Sequence, residues 1–344
     1  DSQAEFRFMA GPFANTLLAG LDYQWQTSNF NLGFGSAPTL DLNNPVYGLF
    51  VPRPALTTRS RQTLNQIGLY VQDQIRIAEN WIVTAGLRHD WTKTESLNRV
   101  TGLSTVQDPS ALTGRIGLVW LAPGGFAPYV NYSQSFQPTL GIDRAGNAFD
   151  PVRGEQIEGG LRYQLPGGQG MITASLFQIT VQNGLATDPL NTAFQVQTGE
   201  QQSRGVELEA SVNVAPGFDI LASYTWQDVE TTRGNAAEVG KRPVGIPEHL
   251  ATIWANYRLP ETILPGLRLG IGVRYTGPSY ANVANTVSND GYVMLDASIG
   301  YEVGPWRATL SGTNLTDEQA TICQPGICYW AQGRTVLGSI GYRF

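Results

Sequence analysis

The feature that most constrains the fold of this chain is an alternation of apolar and polar residues that recurs from end to end. In residues 267–276 the odd positions are Leu, Leu, Ile, Val and Tyr, and the even positions are Arg, Gly, Gly, Arg and Thr. Residues 155–165 and 205–214 alternate in the same way. A period of two predicts β-strands with one apolar and one polar face. Helices are excluded because apolar residues do not recur at intervals of three and four, and because each internal glycine would destabilise a helix by about 1 kcal/mol relative to alanine.

The segments between these strands alternate in length. Short turns are expected at 10–14, 78–80, 122–125, 166–169, 214–217, 260–266 and 303–305. Long polar connections are expected at about 28–62, 97–109, 137–152, 183–193, 231–246, 281–289 and 317–332. Strands joined in this manner form an antiparallel up-and-down meander with two unlike ends. The pattern gives about fifteen strands, many of them ten residues or longer.

Strands of this length are typical of membrane barrels. Strands of soluble proteins average about five or six residues, whereas a tilted strand needs about nine to eleven to span a bilayer. Only 15% of the residues are charged, and no apolar run is long enough for a transmembrane helix. The sequence therefore predicts an all-β fold, an antiparallel up-and-down transmembrane β-barrel. A soluble β-sandwich is the alternative, but it gives no reason for connections that alternate in length.

Aromatic residues near the predicted strand ends agree with a membrane barrel, because amphipathic rings suit the lipid headgroup level. They are Trp81, Trp91, Trp254, Tyr257, Tyr275, Tyr301 and Trp306. Since lipid offers no hydrogen bonds, the apolar face must point outwards and the polar face must line the interior. Eight charged residues are then expected inside: Arg88, Asp90, Glu158, Arg162, Glu207, Glu209, Arg268 and Arg274. So polar an interior predicts a wide barrel, whose lumen holds water or a plug.

The only two cysteines, Cys323 and Cys328, flank a Pro-Gly pair with turn chemistry. They predict either a small loop closed by a disulfide, in an oxidising compartment, or two free thiols. A structural zinc site would need four ligands, and no second cluster of Cys or His exists. We therefore expect no metal site and no cofactor.

Other classes of protein are disfavoured by the sequence. No nucleophile elbow of the G-x-S-x-G kind is present, and His89 and His249 lie in separate strands outside any metal-binding pattern, so we expect no enzyme. A net charge of −6 argues against binding to nucleic acid. The N-terminal residues do not form a signal peptide, which indicates a processed chain or a fragment.

Ten stretches, in order along the chain, resemble the TonB-dependent ferric-siderophore receptors of Gram-negative outer membranes. They are LLAGLDYQ (17–24), LYVQDQIRI (69–77), GLRHDW (86–91), PYVNYSQSFQP (128–138), GEQIEGGLRYQ (154–164), SRGVELEA (203–210), VGIPEHLATIWANY (244–257), GVRYTG (272–277), LSGTNLTDE (310–318) and GYRF (341–344). Residues 94–102 and 323–330 resemble the ferrichrome-type, or hydroxamate, receptors within that family. In that group the cysteine pair corresponds to a disulfide at a loop tip.

The resemblance implies a 22-stranded barrel that is filled by an N-terminal plug domain and coupled to TonB through an N-terminal segment. We expect residues 1–344 to be the C-terminal portion of such a barrel, with about 15 of its strands and without the plug, the TonB-contacting segment or the leading strands. The implied function is uptake of a ferric siderophore, of hydroxamate type, across the outer membrane. Implied partners are the TonB complex, outer-membrane lipid and lipopolysaccharide. The alternative is a passive porin-like barrel or a truncated barrel without function.

Aromatic residues in the long connections are the candidates for ligand binding, because aromatic walls suit the aliphatic and polar surface of a hydroxamate siderophore. The candidates are Tyr47, Phe50, Phe136, Tyr329 and Trp330. For each of them, packing within its own loop is the alternative role.

Overall fold

The computed structural model describes residues 1–41, 43–188, 190, 194–197, 199–324 and 327–344. One antiparallel sheet of 16 strands forms the body of the molecule, and 15 of these strands make a continuous path in which neighbours along the chain are neighbours in the sheet. The path comprises β1 (Ser2–Ala10), β2 (Phe13–Leu32), β3 (Thr58–Ile77), β4 (Trp81–Asn98), β6 (Ser110–Trp120), β7 (Phe126–Gln137), β8 (Val152–Gln164), β9 (Gly170–Gln182), β12 (Glu200–Ala215), β13 (Phe218–Arg233), β14 (His249–Arg258), β15 (Leu267–Thr276), β18 (Tyr292–Val303), β19 (Trp306–Thr313) and β22 (Thr335–Tyr342). The predicted up-and-down meander and its number of strands are confirmed.

Several short strands lie within the long connections. β5 (Ser104–Gln107) extends the sheet beside β4. Three separate hairpins are formed by β10 (Leu185–Thr187) with β11 (Gln195–Gln197), β16 (Ser279–Tyr280) with β17 (Ser288–Asn289), and β20 (Thr321–Gln324) with β21 (Ile327–Trp330). The sequence did not predict these hairpins, because strands of two to four residues are too short to show a period.

Strands β2 and β3 are longer than predicted. Each has 20 residues, so the connection between them is confined to residues 33–57 rather than 28–62. The added parts are polar on the face that is apolar elsewhere, with Asn29 and Asn31 paired with Arg61 and Arg59, whereas Phe30 and Leu32 lie on the opposite face. Without an apolar outer face these segments lack the pattern of a membrane-spanning strand, which is why the sequence predicted shorter strands.

Two of the short connections are single turns of 3-10 helix, Pro123–Gly125 and Pro166–Gly168. In each turn the proline fixes its own φ and the next residue takes a left-handed conformation, with φ 78° at Gly124 and 65° at Gly167. No helix within the described ranges is long and apolar enough to cross a membrane.

The register confirms the predicted faces of the sheet. Residues that are opposite one another in adjacent strands share a face, and the pairings place all eight predicted interior charges on one side, the polar face. Burial alternates in the same sense: Asp90, Thr92 and Thr94 are buried, whereas Trp91 and Lys93 between them are exposed. The sheet therefore curves around its polar face, and its apolar face looks outwards.

Aromatic side chains form two rows on the apolar face. The lower aromatic row runs along the edge with the short turns, where rings on adjacent strands meet: Trp81–Trp120 at 5.6 Å, Phe126–Tyr163 at 4.5 Å, Phe218–Tyr257 at 6.1 Å and Trp306–Tyr342 at 4.9 Å between centroids. The upper aromatic row lies ten residues further along the strands, at Tyr23, Trp91 and Phe136 above Phe13, Trp81 and Phe126. At about 3.3 Å per residue and a tilt of about 45°, the rows are about 23 Å apart, which matches the apolar band of an outer-membrane barrel.

Trp254 does not belong to these rows, so its predicted place at the headgroup level is wrong. It pairs with Gly272 on the polar face, and its indole Nε1 donates to Asn256 Oδ1 at 2.6 Å. A Cβ atom on Gly270 would lie 2.7 Å from Trp254 Cζ2. The ring therefore lies flat on the inner wall, in space that two glycines of β15 leave open.

Strands β1 and β22 are the two edges of the sheet. In the described part of the chain neither strand has a hydrogen-bonding partner on its outer side, and both are exposed along their whole length. The barrel is thus open between these edges, whose free peptide groups can pair with further strands.

Candidate functional site

An ion cluster on the polar face joins β2, β3 and β4, near the β1 edge of the sheet. The guanidinium of Arg88 donates to Asp22 Oδ2 at 2.5 Å, and to Asp90 through Nε at 2.8 Å and Nη2 at 2.6 Å. Gln66 Nε2 donates to Asp90 Oδ1 at 2.7 Å. Asp90 is only 2% exposed, so its carboxylate depends on these donors. A concavity of about 460 Å³ lies against the cluster.

A second group on the polar face is acidic and consists of Glu158, Glu207 and Glu209, called the acidic patch below. Glu158 accepts hydrogen bonds from Tyr129 Oη at 2.6 Å and Gln156 Nε2 at 2.8 Å. Within the described ranges no ion pair joins any of the three carboxylates to a basic group. The acidic patch can therefore accept hydrogen bonds or cations from a group inside the lumen.

A third group ties the wall to the last long connection. Arg274 forms a bidentate ion pair with Asp296, with N–O distances of 2.6 and 3.0 Å. Asp296 Oδ1 also accepts a hydrogen bond from the backbone N–H of Asn314 at 2.9 Å. Asn314 is 1% exposed, and its amide group bonds to the backbone of Glu318 and Gln332 at 2.8 to 3.0 Å. The two ends of the connection 314–334 are thereby held against the polar face.

The tip of this connection is the hairpin β20–β21, which a Cys323–Cys328 disulfide closes. Of the two possibilities that the sequence left open, the disulfide is confirmed. Asn289 of β17 holds the hairpin in place, since its Oδ1 accepts from Cys323 N at 2.7 Å and its Nδ2 donates to Cys323 O at 3.0 Å. Two long connections are thus joined at the disulfide.

Arg242 joins a third connection, 234–248, to these two. Its side chain is 9% exposed and forms ion pairs with Asp228 at 3.0 Å and Glu248 at 2.7 Å, while its backbone exchanges hydrogen bonds with the Asn285 amide at 2.8 and 3.0 Å. The connections 234–248, 277–291 and 314–334 therefore form one hydrogen-bonded cover, called the loop network below.

The connection 138–151 folds inwards over the polar face. Phe149 is buried against Gly141, where a Cβ atom would lie 3.1 Å from the ring and 3.5 Å from Gln62 Nε2 of β3. At the tip, Asp143 accepts hydrogen bonds from the backbone and the side chain of Asn147 at 2.8 and 2.9 Å. The Asn147 side chain is the main cause that lowers the pKa of Asp143 below its usual value.

The five predicted ligand contacts lie in three places. Tyr47 and Phe50, which are 79% and 85% exposed, lie in the connection 33–57. Tyr329 and Trp330 are exposed on β21 beside the disulfide. Phe136 pairs with Arg153 on the apolar face, so it belongs to the upper aromatic row and is no longer a candidate. In the described chain no hydrogen bond or ring contact brings the other four together.

The sequence did not single out the residues that organise the loop network. Arg242 and Asn314 lie in irregular segments and Asn289 in a strand of only two residues, where no period marks them. The one available signal is at Asn314, which stands within the TNLTDE stretch and takes a left-handed φ of 51°.

No metal site is evident, since the described residues contain no group of three or more His, Cys, Asp and Glu that could hold an ion. The histidines are wall residues: His89 meets the edge of Trp91 with centroids 4.2 Å apart, and His249 Nδ1 lies 2.9 Å from Tyr224 Oη.

Comparisons with known proteins agree with this architecture. The family model described as "TonB dependent receptor-like, beta-barrel" matches residues 1–315. The chain is 34% identical to the ferrichrome outer membrane transporter/phage receptor of Escherichia coli K12, over all of this chain and 48% of that protein. It is 32% identical to the ferrioxamine B receptor of Salmonella typhimurium, over all of this chain and 50% of that protein. The chain thus spans about half the length of these relatives.

Solved structures show the same fold. The closed form of the ferric-catecholate import receptor Fiu from E. coli K12 matches with a TM-score of 0.81 at 20% identity, over 99% of this chain and 54% of that one. The unliganded ferric citrate transporter FecA matches with a TM-score of 0.77 at 19% identity, over 99% and 53%. The relatives are named as transporters and receptors, which agrees with the prediction that the chain is not an enzyme. With its sheet of long antiparallel strands, apolar outer face and polar lumen, the chain belongs to the β-barrel family of TonB-dependent receptors of the outer membrane.

Proposed function

We propose that residues 1–344 form the C-terminal portion of the barrel of a receptor that takes up a ferric siderophore. The observation that carries this proposal is the loop network. Three long connections at one edge of the sheet are joined through Arg242, Asn289 and Asn314, and they extend above a polar lumen. A passive pore has no need of such a cover, whereas a receptor needs a fixed external pocket.

The ligand that we propose is a hydroxamate siderophore. The relatives that match the whole chain are named for ferrichrome and ferrioxamine. Four exposed aromatic rings, Tyr47, Phe50, Tyr329 and Trp330, lie in connections on the outer side. Such rings contact the aliphatic parts of a chelate without requiring one fixed set of hydrogen bonds. The ligand is bound and moved, and no covalent chemistry is required of this chain.

Energy coupling through TonB is part of the same proposal. It requires a plug domain and a TonB-contacting segment, which the remaining half of the full-length protein would supply. The acidic patch suits such a plug, because its carboxylates face the lumen without basic partners among the described residues. On the outside, the apolar face and its aromatic rows suit outer-membrane lipid and lipopolysaccharide.

Uptake of radioactive iron by the full-length protein tests the proposal. The protein is produced in a strain without its own hydroxamate receptors, and ⁵⁵Fe-ferrichrome and ⁵⁵Fe-ferrioxamine B are supplied with and without functional TonB. We expect TonB-dependent uptake of at least one of them. Replacing Tyr329 and Trp330 together by Ala should raise the half-saturating concentration about 30-fold, as the loss of central aromatic contacts does. The matched control is Leu103→Ala, an exposed apolar residue of another connection.

Two results would overturn the proposal. Uptake that is independent of TonB, together with ion currents through planar bilayers, would identify a passive pore. No uptake of either siderophore, with the protein correctly inserted, would exclude the hydroxamate class. A double variant with the half-saturation of the unsubstituted protein would remove Tyr329 and Trp330 from the ligand site.

A further inference from the structure

The described strands β2, β3 and β4 carry no charged residue on their inner face above the ion cluster. Three rows of uncharged side chains run across the strands there: Gln24, Gln66 and Thr92; Gln26, Leu64 and Thr94; and Ser28, Gln62 and Ser96. The first row begins one residue beyond Tyr23 of the upper aromatic row, so the three rows lie above the outer headgroup level. We call these nine residues the amide patch.

Most glutamine amides of the amide patch are available to a ligand. Gln66 donates to Asp90, whereas the side chains of Gln24, Gln26 and Gln62 have no hydrogen-bond partner among the described residues. Gln24 and Gln26 are exposed, and Gln62 is half-buried. Because a glutamine amide has both a donor and an acceptor, the amide patch can bind carbonyl oxygens and N–H groups alike.

Apolar groups border the upper end of the amide patch. Phe30, which is 49% exposed, lies on the inner face two residues above Ser28. The connection 138–151 reaches Gln62, since a Cβ atom on Gly141 would lie 3.5 Å from Gln62 Nε2, and Phe149 is buried against that glycine. With about 6.6 Å between rows and about 4.8 Å between strands, the amide patch measures about 13 by 10 Å. It therefore offers hydrogen bonds and adjoining apolar contacts to one face of a small chelate.

The lack of charge determines which iron chelates the amide patch can bind. Three hydroxamate anions neutralise a ferric ion, so the iron centre of a ferric trihydroxamate is uncharged, and its surface presents carbonyl and amide groups. Three catecholates leave the ferric centre with an excess of negative charge, which requires cations in exchange for water. Arg88, the cation directly below the amide patch, already binds Asp22 and Asp90. The amide patch therefore suits an uncharged chelate and disfavours an anionic one.

We propose that the amide patch is a ligand subsite, in which Gln24, Gln26 and Gln62 bind the amide and carbonyl groups of a ferric trihydroxamate and select it against anionic catecholates. This inference rests on the proposed siderophore function. It adds to the aromatic residues of the connections a second group of ligand contacts, on the wall of the barrel itself, and assigns the choice of chelate to charge.

Equilibrium binding of ⁵⁵Fe-labelled chelates to the purified full-length protein tests the subsite. The trihydroxamates are ferrichrome and ferrioxamine B, and the tris-catecholate is ferric enterobactin. The test variant carries Gln26→Leu and Gln62→Leu, which remove two amides with little change in size. The matched control carries Gln74→Leu, on the inner face of β3 below the amide patch, and Gln178→Leu, on the outer face of β9. A third variant, Gln62→Arg, adds one cation to the amide patch.

We expect the test variant to bind the preferred trihydroxamate about 30-fold more weakly, in keeping with the loss of two hydrogen bonds, and the control to bind within about threefold of the unsubstituted protein. Gln62→Arg should bind ferric enterobactin at least about tenfold more tightly, because a charge-assisted hydrogen bond replaces a neutral one.

Equal affinities in the test and control variants, with native mobility on unheated gels, would overturn the subsite. A Gln62→Arg variant that binds ferric enterobactin no better than the unsubstituted protein does would overturn the selection by charge. Failure of the proposed function is seen separately, because the unsubstituted protein would then bind neither trihydroxamate.

Discussion

The guanidinium of Arg88 crosses strand β3 directly over Gly68 to reach Asp22 on the far side. A Cβ atom on Gly68 would collide with the guanidinium and would lie 2.9 Å from an Asp22 carboxylate oxygen. The missing side chain on β3 is what allows one arginine to bind carboxylates on β2 and β4. The ion cluster therefore depends on a residue that has no charge.

Replacing Gly68 by Ala should break the bonds between Arg88 and Asp22 and destabilise the full-length protein by about 1–3 kcal/mol, the usual effect of overpacking. Urea unfolding in lipid vesicles measures the loss. Gly300→Ala is the matched control, because Gly300 lies on the same face and its nearest neighbours would be 3.9 Å from the new Cβ. Equal effects at the two sites would show that the crossing over Gly68 is unimportant.

Removing the charge of Arg88 should be more harmful than removing a charge at the surface. Arg88→Met leaves the buried carboxylate of Asp90 without its cation, and we expect the free energy of unfolding to fall by about 3 kcal/mol or more. Arg7→Met removes an ion pair with Glu5 in which the arginine side chain is 78% exposed, and the expected change is below about 0.5 kcal/mol. The same unfolding assay compares them, and similar losses would contradict a structural role for the cluster.

The disulfide hairpin should lose its position when Asn289 is replaced. Asn289→Ala removes two hydrogen bonds to the backbone of Cys323, and one of these protects the Cys323 amide. We expect hydrogen exchange at that amide to accelerate about tenfold, in keeping with about 1.4 kcal/mol, while the disulfide stays intact. The neighbouring Ser288→Ala serves as the control. Unchanged exchange in the Asn289 variant would mean that the hairpin is held by other contacts.

The tip of the connection 138–151 should loosen in acid. Because the pKa of Asp143 is lowered in the folded loop, its carboxylate stabilises the tip at pH values above the pKa of the unfolded chain. That stabilisation is lost as the pH falls through the lower pKa of the folded state. Exchange protection of the Asn147 amide, corrected for the intrinsic rate, should therefore decrease on acidification. The decrease should be absent in Asp143→Asn, and a decrease of equal size there would assign the effect to another group.

The alternation of apolar and polar residues predicts most of the fold, because every membrane-spanning strand has one apolar and one polar face. The same alternation accounts for Trp254: it shares a face of β14 with Thr252, Asn256 and Arg258, which places its ring inside the barrel. Phe136 is similar, since it stands ten residues from Phe126 and so reaches the upper aromatic row.

The loop network could not be predicted in the same way. Arg242 and Asn285 are 43 residues apart, and Asn289 and Cys323 are 34 apart. Their pairings depend on how irregular backbone folds above the barrel, where neither face of a sheet nor contact with lipid imposes a pattern. For this reason the sequence identified aromatic loop residues by type but not the polar residues that position them.

The distance between the two aromatic rows also determines the bilayer thickness that this chain matches. A separation of about 23 Å is shorter than the hydrocarbon core of an average bilayer, about 30 Å, and agrees with the thinner bacterial outer membrane. In a thicker membrane the surrounding lipid would have to compress against the wall, at a cost that rises with each ångström of hydrophobic mismatch. Lipid thickness is therefore a variable that can shift the stability of this barrel without any change in its sequence.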